Sequence, residues 1–107
     1  MSTPTFEQLF QQAREIRNGY HKLEEIHHGS RWSVEEDALA FLTDAALVGR
    51  LTMAQQQRWP ANHAEGQLEN KLAECVWWLM VLAERMEIDL TAELQRFLET
   101  TRQKVVK

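Results

Sequence analysis

KLAECVWWLMVLAERMEIDL, residues 71–90, is the stretch whose reading decides the fold. Nine consecutive residues, Cys75 to Ala83, carry no charge and no strongly polar group. Lys71 and Glu74 fence the run on one side, Glu84 and Arg85 on the other. As a helix it is apolar on every side over its middle turns, and such a helix has to be enclosed by other elements. A membrane span needs about 20 apolar residues, so the enclosure expected is protein and not a bilayer.

Working upstream, Thr3 before Pro4, or Thr5 with Gln8 three residues on, starts a first helix. Phe6, Leu9, Phe10, Ala13, Ile16, Tyr20 and Leu23 recur at gaps of three and four and make one stripe on it. Gly29 is the expected stop, after His27 or His28. Ser33 and Glu36 form a capping box for a second helix, with Glu35, Glu36 and Asp37 favourably placed at the positive end of its dipole. That helix runs from Ala38 to Met53, and between Ala38 and Gly49 its only charge is Asp44. Trp59-Pro60 breaks the chain, with a loop expected over residues 57–66. The third helix begins near Gly66 or Gln67 and ends near Met86 or Glu87. A short connector follows, with Asp89 or Thr91 as the next cap, and a last helix puts Leu90, Leu94, Phe97 and Leu98 on one side. The basic tail from Thr101 is expected to fray. The reading is all-α, four helices in one domain spanning 1–107.

Composition narrows the function. The net charge is −4 and the pI about 5.5, which argues against nucleic-acid binding as the main task. Four Trp and four Phe are a heavy apolar load for 107 residues, so part of it is expected between subunits. The single cysteine, Cys75, lies inside the apolar run and reads as a buried thiol in a reducing compartment. The first residues lack the basic-then-apolar pattern of a signal peptide, so a cytoplasmic location is expected.

Asp44 and Glu74 stand out as candidate chemistry. Each is an acid at or within an apolar stretch, where an unneutralised carboxylate is disfavoured. Together on facing helices they are possible oxygen ligands for Mg²⁺; the alternative is that Asp44 pairs with Lys71 or Arg50. His21, His27, His28 and His63 form no zinc pattern and read as solvated. Trp77 and Trp78 read as core or interface residues. Trp32, just before the cap Ser33, has two readings: a ring free to stack on a base, or a hydrophobic staple. Cys75 has no partner base, and the chain has no P-loop and no G-x-S-x-G.

From about Arg17 to about Phe97 the chain resembles the MazG-like, all-α nucleoside triphosphate pyrophosphohydrolases. The likeness is carried in order by Arg17-Asn18-Gly19-Tyr20, Trp32-Ser33, the helix from Phe41 to Met53, Leu72-Ala73-Glu74-Cys75-Val76-Trp77, Leu82-Ala83-Glu84-Arg85 and Ile88-Asp89-Leu90. The resemblance implies a four-helix MazG-like bundle completed by oligomerisation, as a homodimer or a dimer of dimers. It also implies hydrolysis of a nucleoside triphosphate to monophosphate and pyrophosphate, and Mg²⁺ held by acids from two helices. Trp32 and Lys71 become candidate nucleotide contacts.

The family's acidic positions fall on Thr43, Asp44, Leu47, Lys71 and Glu74, so only Asp44 and Glu74 remain acidic. A leucine binds no Mg²⁺, and the Lys71 ammonium would neutralise both carboxylates directly. Two functions follow: a divergent pyrophosphohydrolase, weakened or inactive, or a non-catalytic helical oligomer that binds a nucleotide or a protein partner.

Overall fold

A computed structural model of the protein describes residues 3–58 and 66–106. Among them every regular element is a helix and there is no strand: α1 (Phe6–His28), α2 (Val34–Gln55), α3 (Gln67–Arg85) and α4 (Leu90–Val105). The break expected at Trp59-Pro60 and His63 lie outside the described residues. None of these helices is long and apolar enough to cross a membrane.

The helix ends follow local chemistry. At α1, the Gln8 N–H donates to Thr5 Oγ1 (3.1 Å) and the Thr5 N–H to Gln8 Oε1 (2.8 Å), a complete capping box. At α2, the Glu36 N–H donates to Ser33 Oγ (3.1 Å) and the Ser33 N–H to Glu36 Oε1 (2.8 Å). Gly29 ends α1 in the left-handed region, φ 79°, where a residue without Cβ carries no steric penalty. Asp89 caps α4 by accepting from the Ala92 N–H at 3.1 Å. The tail does not fray from Thr101: α4 continues to Val105.

α2 and α3 each end through a left-handed residue that is not glycine. After α3, Glu87 adopts φ 58°, its N–H donates to Glu84 O, and the Ile88 N–H donates to Ala83 O. After α2, Gln57 adopts φ 62°, its N–H donates to Ala54 O, and the Arg58 N–H donates to Met53 O. Both are Schellman closures, which satisfy the last carbonyls at the expense of a left-handed non-glycine residue.

α3 packs between α1 and α2, with its larger contact against α2. Ala13 of α1 and Trp78, Met80, Val81 and Ala83 of α3 form the buried apolar core. No residue of α4 is buried; the Thr91 hydroxyl near its start donates to Glu7 Oε1 of α1 at 2.9 Å.

Three expectations are corrected here. α3 is not enclosed on every side within one chain: Leu72, Val76 and Leu79 are 43–50% exposed and share one stripe with Met86. On α2, expected to be apolar over most of its girth, the buried residues are Asp37 and Asp44, with Phe41, Val48 and Leu51 half-buried, while Leu39 and Leu42 are each 63% exposed. On α1 the buried positions are Ala13, Arg17 and His21, four apart; of the expected stripe Ala13 is buried and Phe6 and Phe10 are half-buried, while Leu9, Ile16, Tyr20 and Leu23 are exposed. The physical reason is shared: beside the apolar core, the inter-helix seam holds the polar groups Arg17, His21, Asp37 and Asp44, which partner one another and their neighbours. Cys75, expected to be buried, is half-buried.

Replacing Glu87 by Gly relieves the left-handed strain at the end of α3. Chemical denaturation of E87G should show a gain of about 1 kcal/mol over wild type, whereas a loss would mean that the Glu87 side chain contributes more than its backbone strain.

Candidate functional site

The two acids buried on α2 lie seven residues apart, two turns along one face. Each meets cations supplied by other elements.

Asp44 faces α3. Lys71 Nζ donates to Asp44 Oδ1 at 3.3 Å and to Glu74 Oε1 at 2.9 Å, and the Trp78 indole N–H donates to Asp44 Oδ2 at 3.0 Å. Lys71, Glu74 and Trp78 are spaced by three and four, so one face of α3 presents all three. The ion pair with Glu74 raises the Lys71 pKa; burial opposes the rise and Asp44 adds to it. Burial, then Asp44 and Glu74, push the Cys75 thiol up, so it holds its proton and is no nucleophile.

The positions assigned from the family likeness are thus only partly assembled. Asp44, Lys71 and Glu74 meet. The Thr43 hydroxyl instead donates to Leu39 O of its own helix at 3.0 Å, and Leu47 is 39% exposed. No group of three or more His, Cys, Asp or Glu able to hold a metal ion occurs among the described residues. Two carboxylates with an ammonium between them do not fit Mg²⁺, which takes six oxygens in near-octahedral geometry.

Asp37 lies on the same face at the other end of the seam and is fully buried. The sequence reading placed it with Glu35 and Glu36 as a first-turn acid facing the helix dipole. Arg17 of α1 grips it through Nη2 to Oδ1 (2.7 Å) and Nε to Oδ2 (3.3 Å), and Arg85 of α3 adds Nη1 to Oδ2 (2.8 Å). Arg17 Nη1 also donates to Glu24 Oε2 at 2.8 Å, and Glu24 Oε1 accepts the Trp32 N–H at 2.8 Å. Arg85 Nη1 donates to the Trp32 carbonyl at 2.9 Å. Two arginines against two carboxylates balance the charge. Burial favours the neutral forms of Arg17 and Glu24, but their mutual hydrogen bonds and charges win: the Arg17 pKa rises and the Glu24 pKa falls. His21, expected to be solvated, is buried against Glu24 at 3.3 Å, and burial followed by the Arg17 charge pulls its pKa down.

Beside this network lies a cleft of about 310 Å³. Tyr20 and Leu23 of α1, Trp32 of the α1–α2 connection, and Trp77 and Trp78 of α3 line it. The Trp77 and Trp78 ring centroids are 4.5 Å apart, and Tyr20 stands 5.9 Å from Trp77. The Trp77 N–H donates to Ala13 O at 3.1 Å. The staple reading of Trp32 does not hold, because the N4 position it needs apolar is Asp37. The Arg17 guanidinium lies 5.9 Å from the Trp32 ring centroid and 5.6 Å from that of Trp78. His27 and His28 are exposed, as expected, and line the same cleft with Glu24 and Glu74. Lys71, the other candidate nucleotide contact, is not among these lining residues; its ammonium is engaged between the two carboxylates.

In comparisons with protein families, curated proteins and solved structures, none matches this chain.

The network makes stability depend on acid. His21 has a lowered folded pKa, so its contribution is present above its ordinary value near 6.5 and is lost as pH falls through the folded value. Glu24 is also lowered, so its contribution is present above about 4.5 and is lost on further acidification. Urea midpoints measured from pH 8 to pH 2 should therefore fall in two stages, and His21→Gln should flatten the first; an unchanged upper stage in H21Q would remove His21 as its source.

Proposed function

We propose that this protein is a MazG-like helical module in which metal-dependent hydrolysis is lost and the assembly is retained for binding. The observation that carries this reading is the Lys71 ammonium, seated at hydrogen-bonding distance between Asp44 and Glu74. In the pyrophosphohydrolases that the sequence resembles, acids at these positions hold Mg²⁺, and the ion neutralises phosphate charge and positions water. Here the positive charge belongs to the protein. It stabilises the two carboxylates and is not available to a phosphate, and Leu47 supplies no replacement oxygen.

The assembly is proposed as a homodimer or a dimer of dimers. Leu39 and Leu42 on α2 and the Leu72, Val76, Leu79 stripe on α3 support it, because apolar surface of this kind is covered in stable proteins, and a second copy brings a matching face. Each leucine fully covered contributes about 1.5–3 kcal/mol.

Pyrophosphate release, measured with Mg²⁺ over a panel of nucleoside triphosphates, should not exceed the rate without protein; measurable turnover of any of them restores the enzyme reading. Placing Glu at Leu47 and Lys71 together should create Mg²⁺ binding detectable by calorimetry that wild type lacks. Separately, light scattering should give a mass of two or four times 12.6 kDa, and Lys at both Leu39 and Val76 should reduce it; a monomeric wild type would exclude the assembly.

A further inference from the structure

We propose that the aromatic cleft takes a flat, phosphate-free heterocycle of nucleoside size that carries amino or ring N–H donors. The proposal rests on the binding reading above and names the ligand class for it.

Size and surface come first. A cleft of about 310 Å³ is at the small end of ligand pockets, which run from about 300 to 1,000 Å³. Trp32, Trp77, Trp78 and Tyr20 give it an aromatic lining. The indole N–H groups of Trp77 and Trp78 are spent on Ala13 O and Asp44 Oδ2. What those two rings have left to offer is π surface, which recognises flatness and not polarity. Trp32 and Tyr20 are both exposed, so this surface is open to a ligand.

Charge then selects among flat ligands. Arg17 is the one arginine or lysine among the described lining residues, and its guanidinium is committed to Asp37 and Glu24. The acids Glu24 and Glu74 stand on the same walls. Phosphate recognition uses arginine, lysine or helix N-terminal amides free to donate. Beside the two imidazoles of His27 and His28, this cleft offers a phosphate two negative charges and a guanidinium already paired. Glu24 is saturated by Arg17, His21 and the Trp32 N–H. Glu74 is different: one oxygen takes Lys71, and a carboxylate accepts about four hydrogen bonds, so it retains capacity for an amino group or a ring N–H. Stacking against the indoles with a donor turned to Glu74 uses what the walls leave unspent.

The test titrates the full chain at pH 8, where an ordinary imidazole is neutral, without Mg²⁺. The probes are adenosine and cytidine, each with its mono- and triphosphate, followed by tryptophan emission. The expected result is saturable binding of a nucleoside at least about tenfold tighter than its triphosphate. Trp32→Ala should weaken it about tenfold, in line with the loss of one stacking partner. Tyr20→Ala gives a second reading if W32A fails to fold. Glu74→Gln should narrow the preference against triphosphate by about tenfold, since one repelling charge is removed. Triphosphate binding as tight as or tighter than nucleoside overturns the proposal, and pyrophosphate release then decides independently whether the non-catalytic reading also fails. Absence of saturable binding by any probe overturns it as well. So does a fall in assembly mass in W32A, which would mean that a second copy of the chain fills the cleft.

Discussion

Neutralisation of buried carboxylates holds the three principal helices together. α2 turns Asp37 and Asp44 inward and leaves Leu39 and Leu42 outside, an arrangement that is stable only if cations come from the neighbours. α1 supplies Arg17, and α3 supplies Arg85 at one end and Lys71 at the other. Breaking one partner out of such a buried pair costs about 3–5 kcal/mol, a sizeable part of the 5–15 kcal/mol that keeps a domain folded. The pairs are directional, so they also fix how far each helix is rotated about its own axis.

The same requirement bears on chemistry. Asp44 and Glu74 are balanced internally, by the Lys71 ammonium. The proposal of a non-catalytic role follows from that economy of charge. The cleft next to it is built from what the ion pairs leave over: ring faces whose N–H groups are already bonded, and a glutamate with spare acceptor capacity. The neighbouring Arg17 network, which fixes the Trp32 backbone through Glu24 and Arg85, places one of those rings.

Legibility in the sequence divides along local and non-local lines. The caps at Thr5, Ser33 and Asp89 and the Gly29 stop are local events within a few residues, and they were readable. The Asp44, Lys71 and Glu74 cluster was also readable, because a lone charge in an apolar helix demands a partner and few are on offer. Asp37 was not. It sits beside Glu35 and Glu36, where acids ordinarily face water and the helix dipole, and nothing within one turn marks it as the buried one. The seven-residue spacing to Asp44 was the available signal. Arg17 and His21 were hidden for the converse reason: Ile16, Tyr20 and Leu23 make an apolar stripe that looks like a core face, and the true face is fixed by Glu24 of the same helix and by Asp37 of α2. Periodicity likewise showed that α3 needs cover, but not that one chain leaves Leu72, Val76 and Leu79 open.

The setting of Lys71 has a consequence for its reactivity. An amine attacks an acyl donor or condenses with an aldehyde only through its deprotonated lone pair. Two carboxylates hold this one as ammonium above the ordinary lysine range, so the side chain is a poor substrate for acylation and a poor former of imines. In this fold the lysine serves as a fixed charge and is withheld from covalent chemistry.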